Sequence, residues 1–164
     1  GAGRAPRASL LGSEVMGSMS AYKVGGRHQH TPEIAQNLRS VTGAHVTVSF
    51  TPTLAPMSRG ILATCTARGL DTSEAEVLDC LDAAYADEPF VHVLPAGRWP
   101  STGATIGSNS VHLQAAHEPR TGRVSVVAAE DNLVKGAAGQ AVQNANLLRG
   151  FPETMGLSAI GVAP

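Results

Sequence analysis

His28 and His30 stand one residue apart in the stretch Arg27-His28-Gln29-His30-Thr31-Pro32-Glu33-Ile34. Imidazole is the side chain that gains or loses a proton near neutral pH. Such a pair can therefore carry a proton, ligate a metal, or do no more than bind water and its own backbone. A zinc site needs further ligands. The other histidines, His45, His92, His112 and His117, fall in apparent strands, and Cys65 and Cys80 are far apart. Neither C-x-x-C nor H-E-x-x-H spacing occurs, so no metal is expected. The spacing alone leaves an acid–base role and a merely solvated loop pair both open, with His30 the better placed of the two to meet a ligand.

The elements around the pair explain why. Gly25 and Gly26 precede it and allow a sharp turn. Thr31 suits a helix N-cap, Pro32 the first helical position, and Glu33 a first turn where the helix dipole favours a carboxylate. Ile34, Leu38 and Val41 recur at helical spacing, and Gly43 follows as a stop. His30 is thus expected just outside a helix N-terminus, on a glycine-framed loop that can present it to a ligand. His28, on the other side of a short extended segment, is expected to point elsewhere and to matter less.

Composition excludes several classes of function. The chain has 164 residues, a net charge of −1, 43% hydrophobic and 15% charged residues. That is enough for one domain with a real core, and too little positive charge for a nucleic-acid binder. No apolar run has the length of a membrane span, and no charged-then-apolar leader opens the sequence. Two cysteines make no disulfide framework, so a cytoplasmic setting is expected.

Val46–Phe50 alternates and is β-branched, which reads as a strand, and Pro52 and Pro56 then enforce a loop. Residues 60–66 read as a second, largely buried strand. Asp71 with Glu74, or Ser73 with Glu76, can form a capping box for a helix whose apolar face is Val77, Leu78, Leu81, Ala84 and Tyr85. Cys80 reads as a packing residue of that helix. Residues 90–94, 104–106 and 111–117 read as strands. The turn Glu118-Pro119-Arg120-Thr121-Gly122 returns the chain as an antiparallel partner over 123–129. Asp131 or Asn132 opens a final helix of about four turns, stopped by Gly150. The pattern is α+β, a mainly antiparallel mixed sheet with packed helices.

Several blocks resemble N-acetyl-gamma-glutamyl-phosphate reductase, a family of NADPH-dependent enzymes of arginine biosynthesis. They are His28-x-His30-Thr31-Pro32-Glu33-Ile34, Leu11-Gly12-Ser13-Glu14-Val15, Ser49-Phe50-Thr51-Pro52, the run from Pro56 to Thr64, Gly107-Ser108-Asn109, the run from Asp131 to Gln143, and Gly150-Phe151-Pro152-Glu153-Thr154. The blocks follow the family's order along nearly the whole chain. The resemblance implies the second, catalytic and dimerisation domain of a glyceraldehyde-phosphate dehydrogenase-like fold. It also implies reduction of N-acetyl-glutamyl phosphate to the semialdehyde and phosphate, through a thioester on a cysteine.

The resemblance makes His30 the general base and acid and Glu33 its orienting partner. Arg59 becomes the group for phosphate or substrate, with Arg27 as a second anion contact. Gln140 and Asn144 on the last helix become contacts for NADP(H), and Lys135 at its entry can meet an anion. The family's Glu-Gln after the isoleucine is here Ala35-Gln36. Neither the glycine-cysteine-aromatic-proline nucleophile turn nor G-x-G-x-x-G occurs, so neither cysteine is taken as the nucleophile. The sequence therefore resembles a C-terminal piece. Residues 1–130 would be a catalytic domain lacking its nucleophile segment, and 131–164 a helix and tail returning to an absent NADP-binding domain. Alone it would be inactive, and the whole enzyme a homo-oligomer without nucleic-acid or membrane partners. Three other readings stay open: an aspartate-semialdehyde dehydrogenase-like reductase, a metal-dependent hydrolase built on His28 and His30, and a non-enzymatic dimerisation or regulatory domain.

Overall fold

The computed structural model describes residues 5–69 and 71–162. They form two compact units, divided between Ser58 and Arg59.

In the first unit, a 3₁₀ turn at Ala8–Leu10 and a one-turn helix α1 (Gly12–Val15) lead to strand β1 (Ser20–Ala21). Helix α2 (His30–Thr42) follows, and β2 (Thr53–Leu54) closes a two-residue antiparallel ladder with β1. Gly25 and Gly26 have φ of 77° and 74°, and Lys23 also has positive φ, so the chain turns sharply ahead of α2 through backbone that glycine adopts without strain. Gly43, with φ 67°, ends α2 as expected, its N–H bonded to the Arg39 carbonyl. Two expectations fail here. Val46, Val48 and Phe50 are alternately half-buried, but residues 45–50 belong to no helix or ladder. Side-chain alternation reports only which residues face inward, and the pairing falls instead on Thr53 and Leu54, beyond Pro52. Thr31 is not the N-cap either. The helix already includes His30, and the Thr31 hydroxyl is buried without a partner.

The second unit holds the apolar core of Phe90, Leu113, Ala115 and Ala129. Four strands, β3 (Ile61–Arg68), β4 (Val91–Val93), β5 (Val111–Glu118) and β6 (Arg123–Glu130), lie in the order β3-β6-β5-β4. The β3–β6 and β6–β5 pairs are antiparallel and β4–β5 is parallel. Helix α3 (Glu74–Tyr85) packs on β5 and β4 through Val77, Leu78 and Leu81. Its capping box is the one between Ser73 and Glu76: each side chain bonds the other's backbone N–H. Cys80 is exposed rather than packed, because it lies on the solvent side of α3. Strand β3 is mostly exposed, not buried: it is the sheet edge, and α3 packs on β5 and β4 instead. Residues 104–106 are not a strand. Thr102–Thr105 form a short helix α4, and the Thr105 hydroxyl bonds the Thr102 carbonyl.

The last helix begins with a π-helical turn, Val134–Ala138, and continues as α5 (Gly139–Arg149), with Gly150 left-handed at its end. Gly139 sits where any side chain would strike the Asn109 carboxamide and Val134. Beyond α5 the chain folds back: Asn109 N–H bonds the Ser158 carbonyl and Val162 N–H the Ile106 carbonyl, each at 2.7 Å.

Candidate active site

The histidine motif is built within the first unit. His30 is the first residue of α2, and its ring is 56% exposed. Glu33, one turn on, brings a carboxylate oxygen to 3.9 Å from His30 Nε2. That distance allows electrostatic guidance of the ring but is longer than a hydrogen bond. His28 does different work. Its Nδ1 accepts the backbone N–H of His30 at 3.2 Å, and its carbonyl accepts the N–H of Thr31. The His28 ring stands edge-on to Tyr22, His30 and Phe50. While Nδ1 accepts, the ring's proton sits on Nε2, so this contact favours the neutral ring. Partial burial, His30 and Lys23 all push its pKa below the ordinary histidine value. Sequence reasoning gave His28 no task, yet it supplies the cap that Thr31 does not. Arg27 is exposed in the preceding turn. A groove of about 290 Å³ along α2, lined by Pro32, Ala35, Gln36, Arg39, His45 and Val46, does not include His30.

In the second unit the centre is Asp131. It is fully buried, and both carboxylate oxygens are used. Oδ1 accepts the N–H groups of Leu133 and Val134 at 2.8 and 3.1 Å, capping the final helix. Oδ2 accepts Gly107 N–H at 2.7 Å and Arg59 Nη2 at 2.8 Å. Burial raises the pKa of such a carboxyl, but the three backbone donors and the guanidinium outweigh it, and the net shift is downward. Arg59 is thereby fixed just before β3, a third exposed, with its Nε buried and unpartnered. Next to it, Asn132 Oδ1 accepts Gly60 N–H at 2.7 Å.

On α5 the polar row divides. Gln140 and Asn144 are exposed, while Gln143 and Asn146 are buried. Gln143 Oε1 accepts Asn109 Nδ2 and Lys135 Nζ at 2.8 and 2.9 Å, and its Nε2 donates to Glu153 at 2.6 Å. Asn146 donates to the carbonyls of Glu153 and Met155. Lys135, expected to meet an anion, lies over the Phe90 ring and is engaged with Gln143. The structure thus brings His30 together with Glu33, and Arg59 together with Asp131. It leaves Gln140 and Asn144 on the open side of their helix.

The family model described as semialdehyde dehydrogenase, dimerisation domain, matches residues 1–132. The chain belongs to the semialdehyde dehydrogenase family. It is 64% identical over its whole length to an N-acetyl-gamma-glutamyl-phosphate reductase of Acidothermus cellulolyticus, and 60% identical to one of Streptomyces coelicolor. The chain spans about half the length of these curated relatives, 48% in each case. An aspartate semialdehyde dehydrogenase II from Vibrio cholerae has the same fold, with a TM-score of 0.66 and 16% identity over 84% of this chain and 42% of that one. A probable aspartate-semialdehyde dehydrogenase from Pseudomonas aeruginosa matches with a TM-score of 0.61 and 20% identity over 80% of this chain and 41% of that one.

The chain carries two free, exposed cysteines, Cys65 on edge strand β3 and Cys80 on α3. Among the described residues, no group of three or more His, Cys, Asp or Glu side chains could hold a metal. Among the same residues, no helix is long and apolar enough to cross a membrane. Sequence reasoning treated Asp131 only as a helix cap and missed its grip on Arg59. The signal available was the adjacency of Asp131 and Asn132 at a helix start, but which distant strand they hold is a tertiary fact.

Proposed function

We propose that this chain is the catalytic and oligomerising part of a cytoplasmic, NADPH-dependent reductase of arginine biosynthesis. It would convert N-acetyl-glutamyl phosphate to the semialdehyde and phosphate. The observation that carries this reading is the 64% identity to an N-acetyl-gamma-glutamyl-phosphate reductase across the entire chain. The dimerisation domain named by the family model supports self-association of the whole enzyme.

In the proposed reaction a thiolate, from sequence outside these 164 residues, attacks the acyl carbon and expels phosphate. NADPH, when bound, supplies the hydride. His30 accepts the thiol proton as the thioester forms, hydrogen-bonds the oxyanion made when hydride reaches the acyl carbon, and returns the proton to the sulfur as the C–S bond breaks and the aldehyde leaves. Glu33 orients the His30 ring. Arg59 contributes the guanidinium donors left free by Asp131 to the substrate's anionic group, and Arg27 is a second anion contact. Gln140 and Asn144 fit a carboxamide partner, since each offers a donor and an acceptor on an exposed helix face. They are the contacts this chain would give the nicotinamide. The chemistry needs no metal.

The test is substrate choice in the full-length enzyme. NADPH oxidation should depend on N-acetyl-glutamyl phosphate and stay at background with aspartyl phosphate. The reverse preference would assign the chain to aspartate-semialdehyde chemistry instead.

A further inference from the structure

We infer that Asp131 is a positioning residue for substrate binding, acting through Arg59 and tying the anion contact to the first turn of the final helix. The inference rests on the proposed role of Arg59 and adds a residue to it. A lone arginine on a strand edge samples many rotamers, and ordering such a side chain costs free energy each time a ligand binds. Here that cost is met beforehand. Arg59 Nη2 is held at 2.8 Å by a carboxylate that is fully buried. The carboxylate is itself immobilised by Gly107, Leu133 and Val134 through backbone N–H groups at 2.7 to 3.1 Å. The neighbouring Asn132 takes the N–H of Gly60, so the backbone that bears Arg59 is gripped as well as its side chain. One edge of the guanidinium is committed to Asp131. The rest of the group, a third exposed at the side chain, keeps donors for an external anion.

The experiment is a double-mutant cycle in the full-length enzyme, reading KM for the acyl phosphate, kcat, and inhibition by inorganic phosphate. Asp131→Asn keeps an oxygen for the helix cap and removes the charge that holds Arg59. It should raise KM and the phosphate inhibition constant by about 10- to 100-fold, the worth of one charge-assisted hydrogen bond, with a smaller change in kcat. Arg59→Ala should do the same, and the double variant should be no worse than the worse single one. Multiplying effects, or an unchanged KM in Asp131→Asn, would overturn the inference. An unchanged KM in Arg59→Ala would overturn the reading of Arg59 itself, a different outcome. Should Asp131→Asn fail to fold, Arg59→Lys decides. One ammonium cannot span Asp131 and an anion as a fork does, so KM should rise nearly as far as in Arg59→Ala. A native KM in the Arg59→Lys enzyme would show that charge alone suffices and that Asp131 positions nothing.

Discussion

His28 and His30 are one residue apart and chemically unlike. His30 offers an open ring with a carboxylate 3.9 Å away. His28 spends its Nδ1 on the backbone of α2 and its ring on Tyr22 and Phe50. A base must be reachable, and a cap must be fixed. The two roles therefore divide between the two rings, and His28→Ala should lower the Tm while His30→Ala leaves it nearly unchanged. The His28 contribution has a defined pH dependence. Its folded pKa is depressed, so its stabilisation is present above about pH 6.5, the unfolded value, and is lost as pH falls through the lower folded value. Thermal melts between about pH 5 and 8, the range in which histidine titrates, should show wild type losing more Tm on acidification than His28→Ala. Parallel curves would mean that the His28 cap does not form in solution.

At the scale of elements, the final helix is held by polar contacts more than by apolar ones. Asp131 caps it, Gly139 lets it approach Asn109, and Gln143 and Asn146 fasten it to Asn109, Glu153 and Met155. Gly139→Ala would press a methyl group against Asn109 Oδ1 and the Val134 carbonyl, and should destabilise the protein by about 1–3 kcal/mol in urea unfolding, as overpacking does. Ser73→Ala, which breaks the capping box of α3, should cost about 1 kcal/mol in the same assay. A loss of only a few tenths at Ser73 would mean that the box adds little to packing. Elements with local signals were legible in the sequence. The Pro119-to-Gly122 turn, the Ser73–Glu76 box and the stops at Gly43 and Gly150 depend on near neighbours. What depends on distant partners was not. Alternation at Val46–Phe50 could not reveal that no strand pairs there, nor could β-branching at residues 61–66 reveal an edge. Gln143 and Asn144 are adjacent polar residues, and only the position of Asn109 and Glu153 decides which is buried. The same division applies to the site. His30, Glu33, Arg59, Gln140 and Asn144 were named from motif and resemblance, whereas the Asp131 grip on Arg59 joins the approach to β3 to a helix far along the chain.

At the scale of the molecule, each unit brings its own part of the proposed chemistry: a proton carrier with its carboxylate in one, an anchored guanidinium and an exposed carboxamide face in the other. Neither contains the glycine-cysteine-aromatic-proline turn or the G-x-G-x-x-G that a thioester-forming, dinucleotide-dependent reductase needs, so the 164-residue chain alone should show no NADPH oxidation with N-acetyl-glutamyl phosphate. Steady turnover by the purified chain would mean that Cys65 or Cys80 serves as nucleophile after all. Whether His30 moves the proton in acyl-phosphate reduction decides the functional reading, and its most direct test is the pH–rate profile of the full-length enzyme with and without His30→Asn. In the variant kcat should fall by roughly 10² to 10⁴, and the loss should persist across the pH range. An unchanged kcat and an unchanged profile in the variant would contradict a proton-carrying role for His30.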